Sequence, residues 1–130
     1  MLWQSRTRVV TSDPTSLALL VFIANMRNHI GAKDGYYGNC VVSQVVAASS
    51  AEVTSGTITD VVKLIKSAKE KVPDMYKDGE IDGTRGISME QLPMLSGYNV
   101  LYVSSWLNLG FDATDFGSGR PARVIGHMDG

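Results

Sequence analysis

The longest apolar run in the chain, Leu17 to Ala24, contains no polar position. A stretch this short and this uniformly apolar predicts a strand buried on both faces. Cys40 to Ala48, rich in valine, predicts a second buried strand. Between them, 28–38 holds Gly31, Asp34, Gly35 and Gly38, the composition of a loop. The clearest helix is Thr57 to Val72, where Ile58, Val61, Val62, Ile65, Ala68 and Val72 recur at helical spacing. Thr57 suits its N-cap, Asp60 its positive end, and Pro73 its close. Lys63, Lys66, Lys69 and Lys71 load its polar side, which reads as a solvated face.

The remaining pattern is weaker. Residues 1–10 predict a helical end, with Leu2, Trp3, Val9 and Val10 apolar and no capping side chain before Trp3. Residues 11–16 read as a loop. Ser88 to Leu92 suggests a short helix within the otherwise polar 74–97 stretch, and Asn99 to Ser105 a strand. Pro121 to Ile125 suggests another strand, with proline at its first position. The alternation is that of an α/β fold whose strands still need partners.

Composition narrows the setting. With 130 residues, 44% of them hydrophobic and 19% charged, the chain suits one globular domain. A net charge of −1 gives no field to attract nucleic acid or an anionic membrane. The apolar run at Leu17 is too short to span a bilayer, and the N-terminus lacks a signal-peptide layout. The only cysteine, Cys40, excludes an internal disulfide and fits a reducing compartment, so a cytoplasmic location is expected. Beside a strand, a lone cysteine is expected to pack as a small hydrophobe.

The candidate chemistry is sparse. His29 and His127 have no metal-ligand partners at useful spacing, and no metal site is expected. The Asp115-Phe116-Gly117 tripeptide lacks the glycine-rich loop, strand lysine and catalytic loop of a kinase. Gly117 and Gly119 do not extend to a dinucleotide-binding fingerprint, because Ala122 stands at the third glycine position.

Four blocks, in order, carry a family resemblance. They are Trp3-Gln4-Ser5-Arg6-Thr7, Asn25-Met26-Arg27-Asn28, Gly35-Tyr36-Tyr37-Gly38-Asn39-Cys40, and Ser104-Ser105-Trp106 with Asp115-Phe116-Gly117-Ser118-Gly119-Arg120-Pro121. Together they resemble the WxxRT, strand-arginine, GYFGN and SW…DFGWGxP segments of the BAHD acyltransferases, plant enzymes that move acyl groups from coenzyme A. The GYYGNC form and the Leu64-Ile65-Lys66 helix resemble the subgroup of benzyl alcohol benzoyltransferase-like enzymes.

The resemblance implies a mixed β-sheet flanked by helices, related to chloramphenicol acetyltransferase. It implies that 1–130 is an incomplete second domain of a two-domain enzyme, whose HxxxD-bearing first domain lies elsewhere. No HxxxD occurs here: Lys33 stands four residues after His29, and His127 is too near the end. No catalytic residue is therefore assigned, and the chain alone is expected to be inactive. Acyl-CoA is implied as co-substrate with no permanently bound cofactor, and a small alcohol or amine as acceptor. The implied partner is the first domain or a full-length relative. The rival expectation is a non-catalytic truncated paralogue that binds coenzyme A weakly or pairs with such a relative.

Site residues follow by matching position. Asp115, Phe116, Gly117 and Gly119 would form a structural loop, with Asp115 paired to Arg27. Ser104 and Trp106 would line the reaction channel, Ser104 offering a hydrogen bond near the thioester. Tyr37, Gly38 and Asn39 would shape the channel wall. Ser118 departs from the family's tryptophan, a loss of apolar contact on the order of 2–3 kcal/mol if that ring is buried.

Overall fold

The computed structural model describes residues 1–36, 38–75, 97–105 and 110–125. Helix α1 (Leu2–Val10) leads to strand β1 (Leu17–Asn25), which turns back into β2 (Val41–Ser49). Two helices follow, α2 (Ser50–Ser55) and α3 (Ile58–Glu70), then a 3-10 turn at Val72–Met75. Strand β3 (Val100–Val103) and a second 3-10 turn (Phe111–Ala113) complete the described elements. The expected helix at Ser88 lies outside the described residues.

The sheet order is β2-β1-β3. β1 runs antiparallel to β2, with Leu17 opposite Ser49 and Asn25 opposite Val41. It runs parallel to β3, with Leu19 opposite Val100 and Phe22 opposite Val103. The uniform apolar run of β1 follows from this central position. Ala18 and Leu20 join Trp3, Val46, Ala48, Val53, Val61 and Ala68 in the core beneath the helices. Leu19 and Val21 face the other way and are buried with Val45 and Val100. A third cluster of Ala24, Met26, Val42 and Val72 closes the far end.

α1 begins at Met1 without a side-chain cap and buries Trp3, Gln4 and Thr7. Leu2 and Val9, apolar by sequence, are instead exposed. Gln4 Nε2 donates to the Gly56 carbonyl at 2.9 Å and Arg8 Nη2 to the Thr54 carbonyl at 2.6 Å, tying α1 to α2.

α2 was not evident from apolar spacing. Its signal is a capping box: Ser49 accepts from the Glu52 amide, and Glu52 accepts from the Ser49 amide. Thr57 and Asp60 repeat the device on α3. The apolar side of α3 is only partly covered. Val61 and Ala68 are buried and Leu64 and Ile65 pack against them, whereas Ile58 and Val62 are exposed. The α-helix stops at Glu70, and Pro73 falls in the 3-10 turn. The strand expected from Pro121 to Ile125 does not form. These residues are exposed and irregular, and Pro121 has no N–H for a ladder.

Both capping carboxylates sit below the ordinary carboxylate range, chiefly because the Ser49 hydroxyl bonds Glu52 and the Thr57 hydroxyl bonds Asp60. A depressed folded pKa adds stability that is present above the unfolded value and lost as pH falls through the folded one. We therefore expect Thr57→Ala to cost about 1 kcal/mol near pH 7. A chemical-denaturation series should show that cost shrinking as pH falls through the lowered folded-state value of Asp60. A cost unchanged by acid would mean the Thr57–Asp60 pair contributes nothing.

Candidate functional site

Parallel pairing brings the carboxyl ends of β1 and β3 to the same edge of the sheet. Open α/β sheets commonly bind ligands at such an edge. Three segments meet there. The first is Asn25-Met26-Arg27 at the end of β1, and the second is the 26–40 connection to β2. The third is Ser104-Ser105, immediately after β3.

The 26–40 connection is tied at its base, where the Met26 amide donates to the Cys40 carbonyl at 2.7 Å. Asn25 Oδ1 accepts from the Arg27 amide at 3.0 Å and bends the chain out of the strand. Gly35, at φ 81°, completes a turn in which the Tyr36 amide donates to the Lys33 carbonyl at 3.0 Å. Arg27 then reaches across the loop, donating through Nη2 to the Gly38 carbonyl at 2.8 Å. Gly38 leaves room for the Tyr36 ring, since a Cβ there would lie 2.8 Å from the ring's Cε1. Arg27, Tyr36, Gly38 and Asn39 line one open hollow of about 430 Å³. Three of the residues selected from sequence, Arg27, Gly38 and Asn39, are thus brought together. Tyr37 lies outside the described residues, as does Trp106.

A second opening lies on the helix-covered side of the same edge. It is a cleft of about 470 Å³ with apolar walls that include Phe22, Ile65 and Val103. Its polar lining includes Asn25, His29, Lys69 and Ser105. Ser104, the hydroxyl singled out from sequence, is exposed and does not line it. Ser105, Lys69 and His29 were not selected from sequence as a group. The available signal was strand alternation, which puts Ser105 on the same side as Leu101 and Val103. Cys40 is fully buried.

The Asp115 loop behaves differently from its expected pairing. Asp115 Oδ1 accepts from the Gly117 amide at 2.7 Å and the Gly119 amide at 2.9 Å. Gly117 and Gly119 sit at φ 98° and 99°, outside the range a side chain readily adopts. Asp115 and Arg27 form no ion pair. Each satisfies its charge on nearby backbone instead, the aspartate on its own turn and the arginine on Gly38. Phe116 is 94% exposed.

The carboxylates with lowered pKa values, Asp13, Glu52 and Asp60, belong to turns and helix caps at the opposite end of the sheet. Among the described residues, no group of three or more His, Cys, Asp and Glu is placed to hold a metal ion. No described helix is long and apolar enough to cross a membrane. What this edge offers chemically is hydroxyl groups, backbone polar groups and two cations beside apolar walls. Such an edge can bind and orient a ligand with a polar head and an apolar arm.

Known proteins resemble this chain in sequence and in fold. Acyl transferase 15 of Oryza sativa subsp. japonica is 44% identical over 128 residues, covering 96% of this chain and 29% of that protein. The spermidine sinapoyl-CoA acyltransferase of Arabidopsis thaliana is 33% identical, covering 95% of this chain and 29% of its own length. The chain thus spans less than a third of the curated relatives it matches. Among solved structures, F. sporotrichioides TRI101 complexed with coenzyme A and T-2 superposes at TM-score 0.66 with 20% identity, covering 94% of this chain and 30% of that one. Vinorine synthase superposes at TM-score 0.62 with 18% identity, covering 92% and 28%. These structures share the mixed-sheet fold expected from sequence. A family model described as "Transferase family" matches residues 1–129, and the chain belongs to that family, the BAHD-type acyltransferases that its motif blocks resemble.

Proposed function

We propose that this chain forms part of the second domain of an acyl-CoA-dependent acyltransferase, one that acylates a hydroxyl or amine of a plant metabolite. The observation that carries the reading is the parallel β1–β3 pairing in a member of this family. It sets Ser104-Ser105 beside the Arg27–Gly38 loop at the sheet edge. Acyl-CoA is the donor substrate, and the general base is a histidine supplied by the first domain. That base removes the acceptor proton, and the freed oxygen or nitrogen attacks the thioester carbonyl. The tetrahedral oxyanion collapses, the C–S bond breaks, and the coenzyme A thiolate takes up a proton. Ser104 donates a hydrogen bond to the developing oxyanion. Gly38 and Asn39 form part of the surrounding wall. The Asp115 loop is structural.

The acceptor belongs to the class of alcohols or amines. The relatives' names include caffeoyl and sinapoyl transfer, and no single subgroup is favoured. A cytoplasmic setting accords with the lone buried thiol.

The test is acyl transfer with several acyl-CoA donors and an alcohol and amine panel. The chain is assayed alone and mixed with a separately produced, histidine-bearing first domain from a relative. Transfer is expected only in the mixture. Ser104→Ala should lower kcat there by about 100-fold, the scale of losing one oxyanion donor. Transfer by the chain alone would overturn the assignment of the base to another domain. A soluble, folded chain inactive in the mixture would overturn the reading of a competent second domain.

A further inference from the structure

Trp3 is 4% exposed, yet its indole Nε1 has no hydrogen-bond partner among the described residues. Arg6 follows one helical turn later on the same side of α1. Its Nη2 donates to the Tyr98 carbonyl at 3.1 Å, while its buried Nε–H is likewise unpartnered. Buried donors without acceptors are costly and uncommon in native proteins. Two of them, one turn apart, make a coincidence less natural than a shared acceptor.

Both residues line one small, partly open cavity of about 10 Å³, together with Thr11, Ala18 and Asn99. That volume corresponds to about one water-sized sphere. The lining also supplies acceptors. Asn99 Nδ2 is committed to the Leu17 carbonyl at 2.9 Å, which leaves its side-chain oxygen available. The Thr11 hydroxyl shares a 2.9 Å hydrogen bond with Ser16 and accepts from the Asp13 amide at 3.2 Å, which leaves it one lone pair. A site with two N–H donors and two oxygen acceptors matches a species that accepts twice and donates twice. Chloride could meet only the donors and needs more room.

We propose that this cavity is a binding site for a single structural water, which accepts from Trp3 Nε1–H and Arg6 Nε–H. It sits where three distant segments meet: α1, the start of β1, and the turn that leads into β3. Direct bonds surround it, including Leu19 N–H to the Asn99 carbonyl at 2.9 Å. The water completes a clamp that holds β3 in register beside β1, and so fixes where Ser104-Ser105 emerge. This inference does not depend on the acyl-transfer reading.

The experiment is NMR on the ¹⁵N-labelled protein, observing the indole N–H resonances. Trp3→Phe and Trp106→Phe assign the two indoles, so either variant suffices if the other misfolds. The Trp3 indole proton should show a cross-peak to a long-lived water and exchange with solvent on the order of 100-fold slower than free indole. Arg6→Lys keeps the cation but removes the Nε–H, and should reduce that protection by about tenfold. A Trp3 indole that exchanges freely, or is protected with no water cross-peak, would overturn the proposal. So would an indole shift that moves when chloride is replaced by sulfate, since the site would then hold an anion.

Discussion

Leu19→Ala is expected to remove about 2–5 kcal/mol of folding stability. Leu19 is fully buried in β1, which among the described strands is the one with a neighbour on each side. It packs with Val21, Val45 and Val100 on the face away from α1, α2 and α3. Truncation loses the transfer free energy of the removed carbons and leaves a cavity. The backbone around it is fixed by pairing to both Ala47 and Val100, so collapse into the gap is restricted. A typical domain has only about 5–15 kcal/mol in total, so the folded population should become marginal. Urea denaturation followed by circular dichroism checks this as a lower midpoint with an unchanged slope. A loss under about 1 kcal/mol would mean that this face of the sheet contributes little to folding.

Val53→Asp should be at least as damaging, by a different route. Val53 is fully buried on α2 within a cluster that includes Trp3, Ala18, Leu20, Val46 and Ala48, where the Trp3 indole N–H is the one side-chain donor and no cation is present to balance a carboxylate. Placing a carboxylate there should cost at least about 4 kcal/mol near neutral pH. Val53→Ala, the control for lost volume, should cost only about 2 kcal/mol. The introduced acid separates the two effects. Its folded-state pKa would be raised by desolvation, so the folded state would hold the proton more tightly than the unfolded chain. The penalty should therefore shrink as pH falls through that raised value, while the alanine control stays flat. Equal pH profiles for the two variants would show that the new carboxylate reaches water.

The sequence revealed elements where one physical signal dominated. The unbroken apolar run of β1 announced burial on both faces, and the valines of β2 announced a second buried strand. Thr57 and Asp60 announced the start of α3. The short helix α2 was missed because its seven residues with the cap, Ser49 to Ser55, include only Ala51 and Val53 as apolar positions. The Ser49-x-x-Glu52 box was its legible mark. Ile58 and Val62 continue a helical stripe beyond the part that is covered, since periodicity reports a face and not the breadth of what packs on it. The parallel pairing of β1 with β3 had no local signature, because nothing near either strand specifies its distant neighbour.

At the site, ordered motif blocks located the right loops but not their bonds. Arg27 and Asp115 are opposite charges, and a pair between them was the natural expectation. The Gly38 carbonyl and the amides of Gly117 and Gly119 are available much nearer in sequence, and local partners won. Ser104 was chosen by position in a motif, while the cleft selects Ser105 by the side of the sheet it occupies.

The strand order β2-β1-β3 also bears on how the chain reaches its fold. The β1–β2 hairpin closes over a modest loop, whereas β3 can join only after most of the chain has been brought back against β1. Loop-closure entropy makes the first event the cheaper one, and long-range parallel pairing the slow one. During synthesis the hairpin and its covering helices emerge before β3 exists. Until β3 arrives, the central strand presents an open edge to any other strand in reach. The interval before β3 docks is when this chain is most exposed to pairing with a neighbour instead of with itself.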